Sequence, residues 1–181
     1  MTPSELPLEA PPLEAVRALI DALERAGVRC ALGGSGLLAA FGLASVVRDW
    51  DFTTDAPRER LLAALEGRSA EHKGSDAIHA DEKFMLPELR LEIIRGFAFV
   101  TSRGPIHIPT RVTRRWRGVP VGSPEGWAVA YALLGRDEKS ERLFEWLARH
   151  GADPASVRPL IAQPLPELLA QRLAALPLAA R

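Results

Sequence analysis

GGSGLLAAFGLASVVRDWDFTTD, residues Gly33 to Asp55, reads as a glycine turn opening a helix, a short connection, and a strand carrying two aspartates. Glycines let a backbone approach an anion closely. Ser35, taken as the N-cap of a helix running to Leu43, places a hydroxyl beside the first free N–H groups. Asp49 to Thr53 reads as the strand, in which residues two apart share a face. Asp49 and Asp51 then point one way, about 6 to 7 Å apart at their Cα atoms, and Trp50 and Phe52 point into a core. A helix and its return connection can set the turn beside the aspartates. The combination suits a phosphate and a hard divalent cation such as Mg²⁺. Taken alone, Asp-x-Asp also fits a solvated strand end with an Asx turn; the glycine turn upstream favours the metal reading, because a carboxylate pair facing an anion calls for a bridging cation.

Upstream, Leu13, Val16, Leu19, Ile20 and Leu23 recur at helical spacing over Leu13 to Ala26, with Pro12 suited to a first helical position and Gly27 to the C′ position. VRCAL, Val28 to Leu32, reads as a short buried strand, and residues 1–11 as a flexible leader. Downstream, Asp55 is expected to cap a helix through RERLLAALE that stops at Gly67, followed by a polar loop from Arg68 to Asp76. Two strands, Ala77 to Phe84 and Glu88 to Arg95, are expected around Pro87. The second sets Leu89, Leu91 and Ile93 on one face and Glu88, Arg90 and Glu92 on the other. Short β segments are expected near Gly96 to Thr101, Ile106 to Ile108 and Gly118 to Val121. Ser123-Pro124-Glu125 is a helix start, Asp137 the expected cap of EKSERLFEWLARH, and further helices follow Pro154 and Pro166. The order predicts an α/β (α+β) chain: a leader over 1–11, a small mixed sheet flanked by helices over 12–122, and a helical C-terminal segment over 123–181.

Composition sets outer bounds on function. Among 181 residues, Lys and Arg total 23 and Asp and Glu total 23, so no global field draws the chain to nucleic acid or to an anionic membrane. The N-terminus lacks the basic and apolar regions of a secretory signal, and no apolar run reaches the roughly 20 residues of a membrane span. Cys30 is the single cysteine and cannot form an intrachain disulfide, which points to a reduced, cytoplasmic setting. Arg111, Arg114, Arg115 and Arg117 around Trp116 form a local basic patch, read either as a nucleotide or nucleic-acid contact or as a salt-bridged surface. His72, His79, His107 and His150 show no ligand spacing, and Trp127 and Trp146 read as core residues on helices.

Glu92 lies on the polar face of its strand. Beside the Asp49 strand it would complete a three-carboxylate cluster, as metal ligand or as base toward a hydroxyl; otherwise it is a surface glutamate paired with Arg90 or Arg95. The pattern Gly33-Gly34-Ser35, a helix, then Arg48-Asp49-Trp50-Asp51-Phe52 resembles the signature of the nucleotidyltransferase fold, the DNA polymerase beta-like superfamily. The likeness is to its small bacterial members: minimal nucleotidyltransferases, AbiEii-type toxins, and small aminoglycoside or lincosamide nucleotidyltransferases. LEII around Glu92 and the segment from Ser123 to Leu147 resemble the strand and helices that follow in that group.

The resemblance implies transfer of a nucleoside monophosphate from an NTP to an acceptor, which is an RNA, a protein or a small molecule. It implies Gly33, Gly34, Ser35 and Arg48 at the nucleotide, and Asp49, Asp51 and Glu92 as catalytic carboxylates and Mg²⁺ ligands. Two departures from the group stand out. The third carboxylate is a glutamate where aspartate is usual, and Tyr131 falls where a helix lysine is common, leaving Arg136 or Lys139 to replace it. The alternative is a nucleotidyltransferase-fold binding protein with weakened catalysis, acting with a partner protein as in a toxin–antitoxin or defence pair.

Overall fold

Val16, Leu19, Ile20 and Leu23, spaced three and four apart, give the first helix one apolar stripe, and all four are buried in a single hydrophobic core. The chain is described by a computed structural model over residues 8–74 and 80–179. Helix α1 spans Glu14–Arg25 with Leu13 as its N-cap, so Pro12 lies ahead of the helix and not at its first position. Gly27 ends it at φ +74°, a left-handed conformation that glycine adopts without a Cβ penalty.

The core elements follow as β1 (Ala31–Leu32), α2 (Gly34–Ala40), β2 (Trp50–Thr54), α3 (Arg58–Leu65), β3 (Glu71–Gly74), β4 (Ala80–Leu86), β5 (Leu91–Thr101), β6 (Gly104–His107), β7 (Arg114–Trp116) and β8 (Val119–Val121). The helices α4 (Pro124–Leu133), α5 (Asp137–His150), α6 (Pro154–Ile161) and α7 (Glu167–Ala174) complete the chain. The strands form one mixed sheet in the order β3-β4-β5-β2-β1-β8-β7, with β6 pairing to β5. An α/β fold with helical C-terminal elements is therefore present as expected. Sheet centre and site coincide: β2 pairs parallel with β5 and antiparallel with β1. Trp50 and Phe52 are buried, as their side of the strand requires. Cys30 is buried with them, and burial pushes its thiol up to about 12, opposed by a hydrogen bond with Thr54.

Several local expectations are corrected. Ser35 does not cap α2. The chain turns earlier, with Gly33 as N-cap and its N–H donating to the Asp51 carbonyl at 2.8 Å. Asp55 does not cap α3, whose N-cap is Pro57; its Oδ2 instead accepts from the Thr110 N–H at 2.7 Å. Arg136 precedes α5 as N-cap, and Asp137 is its first residue.

The polar segment expected as a loop contains β3. Its four residues are exposed on the sheet edge, so no apolar alternation marks them. Pro87–Leu89 forms a 3₁₀ turn and Arg90 is left-handed at φ +48°, so β5 starts at Leu91 and the alternation expected from Glu88 begins only there. Of the expected leader, Glu9 bridges Val46: its N–H donates to the Ser45 carbonyl and its carbonyl accepts from the Val47 N–H. Residues 1–7, and residues 77–79 of the strand expected before Phe84, including His79, lie outside the described residues.

The N-terminus of α4 is built as its sequence predicts. Ser123 Oγ accepts from the Gly126 N–H at 3.0 Å, with Pro124 at the first position. Ser123 Oγ also donates to the buried Glu125 carboxylate, whose other oxygen accepts from the Asp153 N–H at 2.7 Å. That carboxylate ties the start of α4 to the start of α6. Among the described residues no helix is long and apolar enough to cross a membrane.

Candidate active site

Strand pairing assembles the site. In the parallel β2–β5 register Asp51 lies directly opposite Glu92, so two carboxylates distant in sequence share one face of the sheet. Asp49, just before β2, is exposed, while Asp51 and Glu92 are half-buried. Gly34 is held against Asp51. At φ +53° a Cβ on Gly34 would sit 1.9 Å from Asp51 Oδ2, so only glycine lets the turn approach the carboxylate this closely. Gly33 is equally confined, from the other side, by the Trp127 ring.

Two adjoining clefts open over these residues. One, of about 580 Å³, is lined by Ser35, Val46, Arg48, Asp49, Asp51, Arg136 and Lys139. The other, of about 310 Å³, shares Asp49, Asp51 and Arg136, and adds Gly34, Lys83, Glu92 and an apolar wall that includes Phe97 and Trp127. Three groups of positive charge therefore face the turn and the aspartates in the first cleft, and an apolar wall stands beside Glu92 in the second.

Electrostatics mark Asp51 as the centre. Burial, reinforced by the charges of Asp49 and Glu92 and opposed by Arg136 and Lys83, pushes its carboxyl up to about 7. A carboxylate that binds a proton this readily is short of positive charge. A divalent cation would supply it. Lys139 is shifted down by burial and by Arg136, against the pull of Asp51, and its Nζ lies 5.4 Å from the centre of the Tyr131 ring. Tyr131 is fully buried. Its hydroxyl has no hydrogen-bond partner among the described residues, and burial together with the Asp51 charge raises its pKa.

The sequence-derived residues Gly34, Ser35, Arg48, Asp49, Asp51 and Glu92 thus line the paired clefts, and Gly33 forms the turn beneath them. They do not close into a metal cage: among the described residues no three His, Cys, Asp or Glu side chains are grouped to hold an ion. Glu92 pairs with Lys83 at 3.2 Å, while Arg95 pairs with Glu82 at 2.7 Å. Asp49 and Asp51 offer hard oxygen donors at the mouth of a basic cleft, the donor type that suits a hard cation.

Lys83 is the charged residue of these cleft linings that no sequence signal marked; it enters through cross-strand register. The basic patch resolves differently. Arg111 pairs with Asp153 and Arg115 with Glu24, while Arg114 and Arg117 lie over the rings of Phe41 and Trp116. These contacts fit the salt-bridged reading.

No protein-family model matches the chain, and no curated protein matches it. Solved structures do. A crystal structure from Thermotoga maritima, assigned as a nucleotidyltransferase, matches at 24% identity over 76% of this chain and 93% of that one, with a TM-score of 0.51. The antibiotic-resistance factor ANT(2'')-Ia matches in its solution structure at 13% identity, over 89% of this chain and 92% of that one, with a TM-score of 0.52. Its crystal structure with adenylyl-2''-tobramycin matches over 90% and 97% at the same identity, with a TM-score of 0.54. The chain has a nucleotidyltransferase fold.

Proposed function

We propose that the protein is a metal-dependent nucleotidyltransferase, moving a nucleoside monophosphate from an NTP to an acceptor hydroxyl. The observation that carries this reading is the register of β2 on β5, which sets Asp51 opposite Glu92 beside the Gly33-Gly34 turn. Ser35, Arg48, Arg136 and Lys139 surround the space where a triphosphate would lie. Arg136 and Lys139 supply the charge that Tyr131 lacks. Asp49 and Asp51 would hold Mg²⁺, which when bound supplies positive charge to the phosphates as the leaving group gains negative charge.

The reaction balances simply. The acceptor oxygen forms a bond to the α-phosphorus, the bond from that phosphorus to the α–β bridging oxygen breaks, pyrophosphate leaves, and Glu92 receives the acceptor proton. The apolar wall of Phe97 and Trp127 lines the same cleft as Glu92, where an acceptor would lie.

A thermal-shift titration with each NTP, with and without Mg²⁺, tests the reading. At a nucleotide concentration of 100 times Kd the folded state gains about 2.7 kcal/mol, which for a chain of this size raises Tm by roughly 5 to 10 °C. The shift should require Mg²⁺ and vanish in Asp51→Asn. Absence of any shift with all four NTPs would overturn the proposal.

A second reading has one observation in its favour: Tyr131, with its buried hydroxyl, replaces a helix lysine at the site. In that reading the chain binds a nucleotide and acts through a partner protein, as in a toxin–antitoxin or defence pair. A Mg²⁺-dependent shift without label transfer to RNA, protein or small-molecule fractions would select it.

A further inference from the structure

Lys83 reaches the site from β4. In the antiparallel β4–β5 register Met85 faces Glu92 and Lys83 faces Ile94, so Lys83 shares a sheet face with Glu92 and Asp51 and meets Glu92 along the diagonal. Its Nζ lies 3.2 Å from Glu92 Oε1, and each side chain is only 27% exposed. Lys83 also lines the same cleft as Asp49 and Asp51. A carboxylate oxygen engaged by an ammonium at this distance already has a positive partner, which competes with a metal ion for it. Lys83 thus accounts for three acids lining one cleft without forming a three-ligand group.

We propose that Lys83 is the resident counter-charge of Glu92, standing where a second divalent ion would otherwise bind, so that the cleft takes a single divalent ion at Asp49 and Asp51. The proposal rests on the nucleotidyl-transfer reading for that ion. It assigns Glu92 to the acceptor proton and not to a metal, with Lys83 as the residue that positions it. Removing the ammonium leaves Glu92 unpaired beside two further carboxylates, and a second divalent ion is the charge that replaces it.

The test counts ions, independently of turnover. Mn²⁺ is titrated into the full chain up to millimolar concentration and the free ion is followed by electron paramagnetic resonance. Wild type and Lys83→Arg should each bind one Mn²⁺ per chain, whereas Lys83→Met and Lys83→Gln should each bind two. The double variant Lys83→Met/Glu92→Gln should return to one. Unfolding midpoints establish which variants fold, and either neutral variant suffices. Two ions in wild type, or one ion in a folded neutral variant, overturns the role of Lys83 while a Mg²⁺-dependent NTP shift leaves the functional reading intact. A wild type that binds no Mn²⁺ and shows no NTP shift overturns both.

Discussion

Gly34 is where sequence and chemistry meet most tightly. Its φ of +53° and the 1.9 Å separation that a Cβ would have from Asp51 Oδ2 make glycine obligatory for both backbone and contact. Gly34→Ala is expected to cost about 1 to 3 kcal/mol of stability, through left-handed strain and overpacking. It should also displace Asp51, so the Mg²⁺-dependent NTP shift should be lost even at a temperature where the variant remains folded. Urea denaturation and the nucleotide titration together check this. A variant with unaltered stability and nucleotide binding would show that the turn and the carboxylate are not coupled. The GG-S pattern itself was visible in the sequence, but which of its residues does what was not. Local chemistry favours Ser35 as the cap, yet Gly33 holds that position and donates its N–H to the Asp51 carbonyl, a contact that only the tertiary fold supplies.

At the scale of elements, the start of α4 is tied to the start of α6. Ser123 accepts from the Gly126 N–H and donates to Glu125, and Glu125 accepts from the Asp153 N–H at the start of α6. Ser123→Ala removes the cap and one partner of a buried carboxylate. The expected loss is about 2 kcal/mol, toward the upper end for an N-cap because both bonds are buried. The midpoint of chemical denaturation reads it, and a change within experimental error would show that the cap is replaceable. Ser-Pro-Glu announced this helix from local chemistry alone. β3 could not be announced, because an edge strand of four exposed residues has no period to read.

For the molecule as a whole, Glu82 is the point where four elements meet. Burial opposes its ionisation, but hydrogen bonds from Arg58 of α3, Arg95 of β5 and His72 of β3 outweigh that and hold the carboxyl at about 2. The folded value lies below the ordinary 4.5. The unfolded chain therefore takes up the proton first as pH falls, and the stabilisation is fully present above about 4.5. It is lost progressively as pH drops toward 2. Arg58 is nearly half exposed, so solvent screening reduces the effect; Glu82→Gln should cost about 2 kcal/mol at pH 7. The difference between variant and wild type should shrink between pH 4.5 and 2. A difference independent of pH over that range would assign the loss to packing and not to charge. The same cluster links β3 to the sheet, which is how an element without an apolar face is retained.

The sequence by itself determined the amphipathic helices, the capped start of α4 and the identity of the aspartate strand. Each is set by residues within one or two turns of one another, through periodicity, capping and backbone conformation. It also named Glu92 as the distant carboxylate of the candidate site. Only the tertiary structure decided what Glu92 faces. Strand register places it opposite Asp51 on one side and in diagonal contact with Lys83 on the other, and register depends on how separate strands pair. The Gly33 to Asp55 stretch thus specifies half of a site whose charge balance is completed by β4 and β5.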